Sequence, residues 1–257
     1  MVNIQQYFYQ HIYPNIDVEK LGGKLEQIPS LINGKYTIEI KHYPNTTLFF
    51  IANPNNPVGK TSVEDIINLA NLNPHAILCL DEAYSQFSAL SLIDQINNFS
   101  NIVVLRSFSK DYGMAGNRIG YIAAPAEIIE KVDGYLEASW WCRTSYLSSG
   151  AAISALKHEE YFKGLINEIL ITKQTFEEFL INKQFKVLKS YINSTLISFD
   201  SIANGNKFYD YLKSKDILVS HSNGESNIGL DERFIRIAIG TQKQMKELQD
   251  VINNYIP

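Results

Sequence analysis

Short apolar runs alternate with amphipathic stretches through the first half of the chain. The runs are Thr47–Ala52 (TLFFIA), Ala76–Leu80 (AILCL), Ile102–Leu105 (IVVL) and Ile119–Ala123 (IGYIA), most of them bounded by Asn, Pro, Asp or Ser. Runs of that length between turn-forming residues predict strands, and their near-continuous hydrophobicity predicts cover on both faces. Between the first two lies Ser62–Asn71 (SVEDIINLAN), where Ser62 suits an N-cap and positions 63, 66, 67 and 70 share one helical face. Strand, helix, strand, repeated, predicts a mostly parallel sheet with helices packed on it.

The second half has a different pattern. Helices are expected from about Ser145 into the 150s, from Tyr161 to about Ile181, from about Lys207 to Lys215, and at the C-terminus. Strands are expected at Ser194–Phe199 and Phe234–Ile239. That mixture suits a small α+β domain. The expected organisation is an α/β domain over residues 1–147 and a smaller domain over 148–257.

Composition narrows the class of protein. Of 257 residues, 45% are apolar and 19% charged, enough to bury a core. Lys plus Arg number 23 against 27 Asp plus Glu, a formal charge of −4 with no basic block, which argues against a nucleic-acid partner held through phosphates. No apolar run reaches membrane-spanning length, and the start, MVNIQQYFYQ, lacks the pattern of a secretion signal. A cytoplasmic protein is expected. Cys79 and Cys142 are too few for a disulfide framework and read as reduced and buried. The histidines show no metal-ligand spacing, so no metal is expected.

Ligands of open parallel sheets bind beyond the carboxyl ends of the strands, and chemistry-bearing residues gather there. The first run leads into Asn53-Pro54-Asn55-Asn56-Pro57-Val58-Gly59, which by itself is equally a plain turn. The second leads into Asp81-Glu82-Ala83-Tyr84. A carboxylate directly after a buried run is desolvated and needs a cationic or protonated partner, although alone it is equally a helix N-cap. The third leads into Arg106-Ser107-Phe108-Ser109-Lys110, and a single lysine there is more commonly a solvated loop charge. Gly113-Met114-Ala115-Gly116-Asn117-Arg118 then precedes the fourth run, without the dinucleotide-binding spacing.

Taken together, an acid, a lysine, an arginine, a phenol, an amide and two hydroxyls at one sheet edge fit pyridoxal 5'-phosphate. A lysine amine forms an imine with its aldehyde. A buried aspartate keeps the pyridine nitrogen protonated. Arginine and hydroxyls match a phosphate dianion.

The ordered set NPNNPVG, DEAY, SFSK, GNRIG and RIAIGT resembles the class I/II aminotransferases of fold type I, most of all the histidinol-phosphate aminotransferase branch. The resemblance implies a three-layer, mostly parallel large domain with a smaller C-terminal domain, and transamination between an amino acid and a keto acid in a homodimer. It implies Lys110 as the residue bonded to the cofactor, Asp81 at the pyridinium nitrogen, and Tyr84 and Asn56 at the ring oxygen. Ser107, Ser109 and Arg118 would hold the phosphate, and Arg236 the substrate carboxylate. An arginine interrupting an apolar strand must be paired, and its plainer role is a structural salt bridge.

Departures from the pattern qualify this. Lys20–Pro29 resembles the family strand that follows the cofactor-stacking aromatic, so the large domain is expected to be incomplete at its N-terminus. Tyr7, Tyr9 or Tyr13 could supply that aromatic. Ser220 stands where the histidinol-phosphate branch has an arginine for the substrate phosphate, with Arg233 a substitute from a nearby turn. Trp140 and Trp141 fall where the family links its two domains. A lyase or decarboxylase of a phosphorylated amino acid shares these motifs, and a catalytically impaired module of the same fold is the remaining alternative.

Overall fold

The computed structural model describes residues 3–7, 22–28, 31–32, 35–138, 144–222 and 230–256. Two sheets carry the architecture. The first has six strands in the order β2-β1-β5-β6-β7-β8: β1 (Asn3–Tyr7), β2 (Lys24–Ile28), β5 (Leu48–Ala52), β6 (Ile77–Asp81), β7 (Ile102–Ser107) and β8 (Gly120–Ala123). All neighbours are parallel except β7 and β8. A two-stranded hairpin, β3 (Leu31–Ile32) with β4 (Lys35–Tyr36), lies between β2 and β5 in sequence.

Helix α1 (Val63–Leu72) forms as the sequence pattern predicts. Ser62 caps it by accepting from the Asp65 N–H at 3.0 Å, which satisfies a backbone donor with no partner inside the helix. Its Ile66, Leu69 and Ala70 pack with Phe49, Ile51, Leu78, Leu80, Ile102 and Val104 of the central strands. The central strands β5 and β6 are fully buried at alternate positions and half-buried between. Cover on both faces is therefore complete in the first half of β7, where Ile102, Val103 and Val104 are all buried, and partial in β5 and β6. The departure is largest at β8, the last strand of the sheet, where Gly120, Tyr121 and Ile122 are all exposed. Cys79, expected to be buried, is half-buried on the less covered face and is a free thiol, while Cys142 lies outside the described residues.

After the short helical turn α2 (Phe108–Asp111) come α3 (Ala126–Ala138), α4 (Tyr146–Lys157) and the long α5 (Glu159–Asn182). Helix α4, capped by Ser145, runs across the position where the sequence placed a division between 147 and 148. The second sheet is antiparallel in the order β11-β12-β10-β9, from β9 (Lys186–Leu188), β10 (Ser194–Ser198), β11 (Ser220–His221) and β12 (Phe234–Ala238). Helices α6 (Ile202–Lys213) and α7 (Gln242–Asn253) complete the chain. The sequence pattern set α6 too late: Ser201 caps it through the Asn204 N–H, and it ends at Lys213 with Ser214 as the C-cap. A serine cap outweighs apolar periodicity in fixing where a helix begins.

One face of the second sheet, with Ile197, Ile235 and Ile237, packs against Phe176, Phe208, Leu212 and Leu248 of helices α5, α6 and α7. The other face, with Leu196 and Phe234, meets Val58 from the loop after β5. Alternation along β10 and β12 thus divides the residues that hold the second core from those that face the first sheet's loops. Among the described residues no helix is long and apolar enough to cross a membrane.

Phe208 is completely buried, with Phe185, Phe199 and Tyr255 rings at 5.1, 5.3 and 4.9 Å. Phe208→Ala is expected to cost about 3–5 kcal/mol in urea unfolding, whereas Tyr161→Ala, at a 65% exposed position, should stay within about 0.5 kcal/mol of the parent.

Candidate functional site

The site is assembled from the loops at the carboxyl ends of β5, β6 and β7 and from one face of β12. The loop after β5 is pinned at its ends by Asn53, whose side-chain amide donates to the Thr61 carbonyl at 3.1 Å and accepts from the Thr61 N–H at 2.9 Å. The Asn55 N–H closes it onto the Gly59 carbonyl at 2.9 Å. Gly59 has φ +92°, and a β-carbon there would collide with the Tyr36 ring, so both conformation and space demand glycine. The Asn56 side chain of this pinned loop reaches two ways. Its Nδ2 donates to Tyr84 Oη at 3.2 Å, and its Oδ1 accepts from Arg236 Nη1 at 2.7 Å.

Arg236 sits at the centre of β12, opposite Leu196 of β10 and Ser220 of β11. Its Nη2 donates to Ser220 Oγ at 2.9 Å. Both partners are neutral, and among the described residues no carboxylate pairs with this guanidinium. The structural salt bridge that the sequence left open is therefore not formed there. Burial pulls the Arg236 pKa below its usual value, with the Tyr84 hydroxyl acting the other way. A cavity of about 270 Å³ opens beside it, lined also by Ser220, Leu218, Tyr209 and Lys213 and by no acidic side chain. Arg233, the proposed substitute for an arginine at position 220, is instead exposed and bound to Asp231 through Nε and Nη2 at 3.0 and 2.6 Å.

Asp81 is the last residue of β6. Its Oδ1 accepts from the Ala83 N–H at 3.0 Å. Burial pushes its carboxyl above the usual carboxylate range, and that one backbone bond offsets the rise only in part. No cation pairs with it among the described residues. Lys110 lies in the α2 turn, which Ser107 caps by accepting from the Ser109 N–H at 3.1 Å. Its Nζ is 5.6 Å from the centre of the Tyr84 ring, within cation–π range, and the residue is solvent-exposed.

Contacts therefore join Asn56, Tyr84, Lys110 and Arg236, residues from four separate motifs. Asp81, Ser107 and Ser109 stand at the same strand ends. Arg118 is held apart: it is exposed, takes φ +49°, and among the described residues donates to the Ala115 carbonyl alone, at 3.2 Å. Tyr7 lies in β1, while Tyr9, Tyr13, Trp140 and Trp141 lie outside the described residues.

One group of residues went unrecognised in the sequence. Glu82 and Arg106 form an almost fully buried ion pair, with Arg106 Nε and Nη2 donating to Glu82 Oε2 at 3.0 and 2.9 Å. Ser91 Oγ donates to the same Oε2 at 2.7 Å and accepts from Arg106 Nη2 at 2.7 Å, and the Leu92 N–H donates to Glu82 Oε1 at 2.8 Å. The available signal was strand alternation. Glu82 follows Asp81 and Arg106 precedes Ser107, so each belongs to the opposite face from its neighbour.

Comparison with known proteins agrees with this arrangement. The family model for aminotransferase class I and II matches residues 8–252, and the chain belongs to that family. Histidinol-phosphate aminotransferase 1 of Oceanobacillus iheyensis is 30% identical over 227 residues, covering 88% of this chain and 63% of its own length. The enzyme of the same name from Carboxydothermus hydrogenoformans is 32% identical over 209 residues, covering 81% and 56%. The crystal structure of the histidinol-phosphate aminotransferase from Clostridium acetobutylicum superposes with a TM-score of 0.82 at 25% identity, over 98% of this chain and 77% of that one. The chain thus spans 63% and 56% of the length of those two curated relatives. The α/β fold expected from the sequence is the one observed.

Two outcomes follow from the charges. Arg106→Met strands Glu82 as a buried carboxylate and is expected to cost about 3–5 kcal/mol in urea unfolding, partly recovered by adding Glu82→Gln. Asp81 has its pKa raised on folding, so the folded chain grips that proton more tightly than the unfolded one. Its penalty is absent below the unfolded value of about 3.9 and complete above the folded value. Calorimetry of the unloaded protein should therefore find Asp81→Asn melting higher than the parent at alkaline pH, with the gap closing as pH falls toward about 4.

Proposed function

We propose that this chain is a pyridoxal-phosphate-dependent aminotransferase, moving an amino group between an amino acid and a keto acid. The observation that carries the reading is the line Arg236–Asn56–Tyr84, which ties the two sheets together. Among the described residues Asp81 has no cation and Arg236 no carboxylate beside that line, and Lys110 lies next to the Tyr84 ring. A desolvated, cation-free carboxylate fits a protonated pyridine nitrogen, so the residues present suit the cofactor.

Bound pyridoxal phosphate would supply an aldehyde for the lysine and a ring that withdraws electrons from the reacting carbon. The chain's own groups do the rest. Asp81 holds the proton on the pyridine nitrogen. Tyr84 Oη and Asn56 Nδ2, already bonded to each other, hydrogen-bond the ring oxygen. The hydroxyls of Ser107 and Ser109 would receive the phosphate, and the Arg118 guanidinium would join them by leaving the Ala115 carbonyl. Arg236 takes the substrate carboxylate and is held for it by Asn56 and Ser220. Lys110 Nζ would take up and hold the proton from the substrate's α-carbon.

A second copy of the chain belongs to this reading. Tyr146, Leu147, Ile153 and Leu156 of α4 are exposed at 98%, 88%, 56% and 51%, an apolar surface suited to a homodimer contact. The free thiol of Cys79 suits a reducing compartment such as the cytoplasm.

Borohydride reduction with pyridoxal phosphate, followed by peptide mapping, should label Lys110, and Lys110→Ala should lose the label and nearly all turnover. Label elsewhere, or a fully active Lys110→Ala protein, ends the proposal. Arg236→Gln should raise KM for the amino acid about tenfold to a hundredfold, the worth of a charge-assisted hydrogen bond. Release of carbon dioxide instead of a keto acid would assign the chain to the lyases.

A further inference from the structure

Asp81 and Lys110 each have a sequence neighbour that no step above uses. Glu82 follows the first and Asp111 the second, and Arg106 is the cation closest in effect to both. Asp111 is only 6% exposed, and its Oδ1 has no hydrogen-bond partner. The Arg106 guanidinium is already committed, through Nε and Nη2, to Glu82 and Ser91. The other titratable groups around Asp111 are Tyr112, Tyr121 of β8, which lies in register with Arg106, and Glu159 at the start of α5, which acts on both tyrosines. Two buried carboxylates thus feel one guanidinium that is bonded only to Glu82 of the two, and a surplus negative charge in that setting is costly. Burial, opposed only by Arg106, pushes the Asp111 carboxyl up to about 7.

We propose that Asp111 is a positioning residue: its carboxyl takes up a proton because the Glu82–Arg106 pair leaves it no counter-ion, and that proton sets how the α2 turn presents Lys110. With the proton on, Arg106 stays with Glu82 and Ser91, and the turn rests on a neutral group. With the proton off, Asp111 competes with Glu82 for the guanidinium. Lys110, one residue away in the same four-residue turn, moves with it. The inference rests on the role given to Lys110 above, but its test does not require the cofactor.

The full-length, unloaded chain suffices. Carbon-13 NMR of labelled aspartate, with the resonance assigned through Asp111→Asn, should give a titration midpoint near 7. Competitive acetylation with acetic anhydride, read by mass spectrometry on the Lys110 peptide from about pH 5 to about pH 9, should show an extra inflection of twofold or more in rate near that midpoint. Asp111→Asn should abolish the inflection, and the Lys163 peptide should show none in either protein. A purely structural Asp111 would shift melting temperature yet leave the Lys110 profile unchanged. An ordinary carboxylate midpoint, or matching Lys110 profiles in parent and variant, overturns the proposal. If Asp111→Asn does not fold, Asp111→Ser serves for the labelling, and the NMR midpoint of the parent decides alone. Failure of pyridoxal phosphate to attach to Lys110 would overturn the functional reading and leave this titration standing.

Discussion

A single arginine sets the relation between the two sheets. Arg236 is half-buried on β12, and among the described residues its hydrogen-bond acceptors are the Asn56 amide, 180 residues away in sequence, and the Ser220 hydroxyl. Neutral partners satisfy the geometry of the guanidinium without neutralising it. The second sheet is therefore docked on the first through a group whose charge is still available. Asn56 passes the constraint on to Tyr84, and the Tyr84 ring lies beside Lys110. One continuous set of contacts thus does two things: it joins the two sheets and holds a charged guanidinium without neutralising it.

The ends of β6 and β7 carry opposite physical solutions on their two faces. On one face Asp81 is desolvated and has no cation among the described residues, a state that costs stability and preserves reactivity, while Lys110 stands exposed beside the Tyr84 ring. On the other, Glu82 and Arg106 pair through two nitrogens and are closed in by Ser91 and the Leu92 backbone. A buried pair of this kind adds little net stability but makes the loss of either partner expensive. It fixes the backbone directly beside the site residues, so the unpaired groups are held by structure they do not themselves stabilise. Asp111, buried with its Oδ1 unbonded, feels the same Arg106 charge from the turn that carries Lys110.

Much of this was legible in the residue order. Runs such as TLFFIA and AILCL have nowhere to go except a buried strand, Ser62 and Ser145 are helix caps by their chemistry, and NPNNPVG, DEAY, SFSK and RIAIGT mark where reactive side chains leave the strands. Local propensity and short motifs are short-range physics, and the sequence holds them completely. That is why the fold class, the candidate lysine and the candidate acid could be named before any geometry was known.

What it could not hold was the environment of those groups. Nothing local says that Arg236 meets Asn56 and Ser220, or that Arg106 turns away from the site to bury itself with Glu82. Nor does apolar content reveal that β8 is the last strand of its sheet and exposed, or that Asp111 is enclosed while its neighbour Lys110 is not. Residue order determined which groups were present and which strand ends carried them. Tertiary structure alone decided which charges met a partner, because desolvation and pairing depend on neighbours brought together from distant parts of the chain.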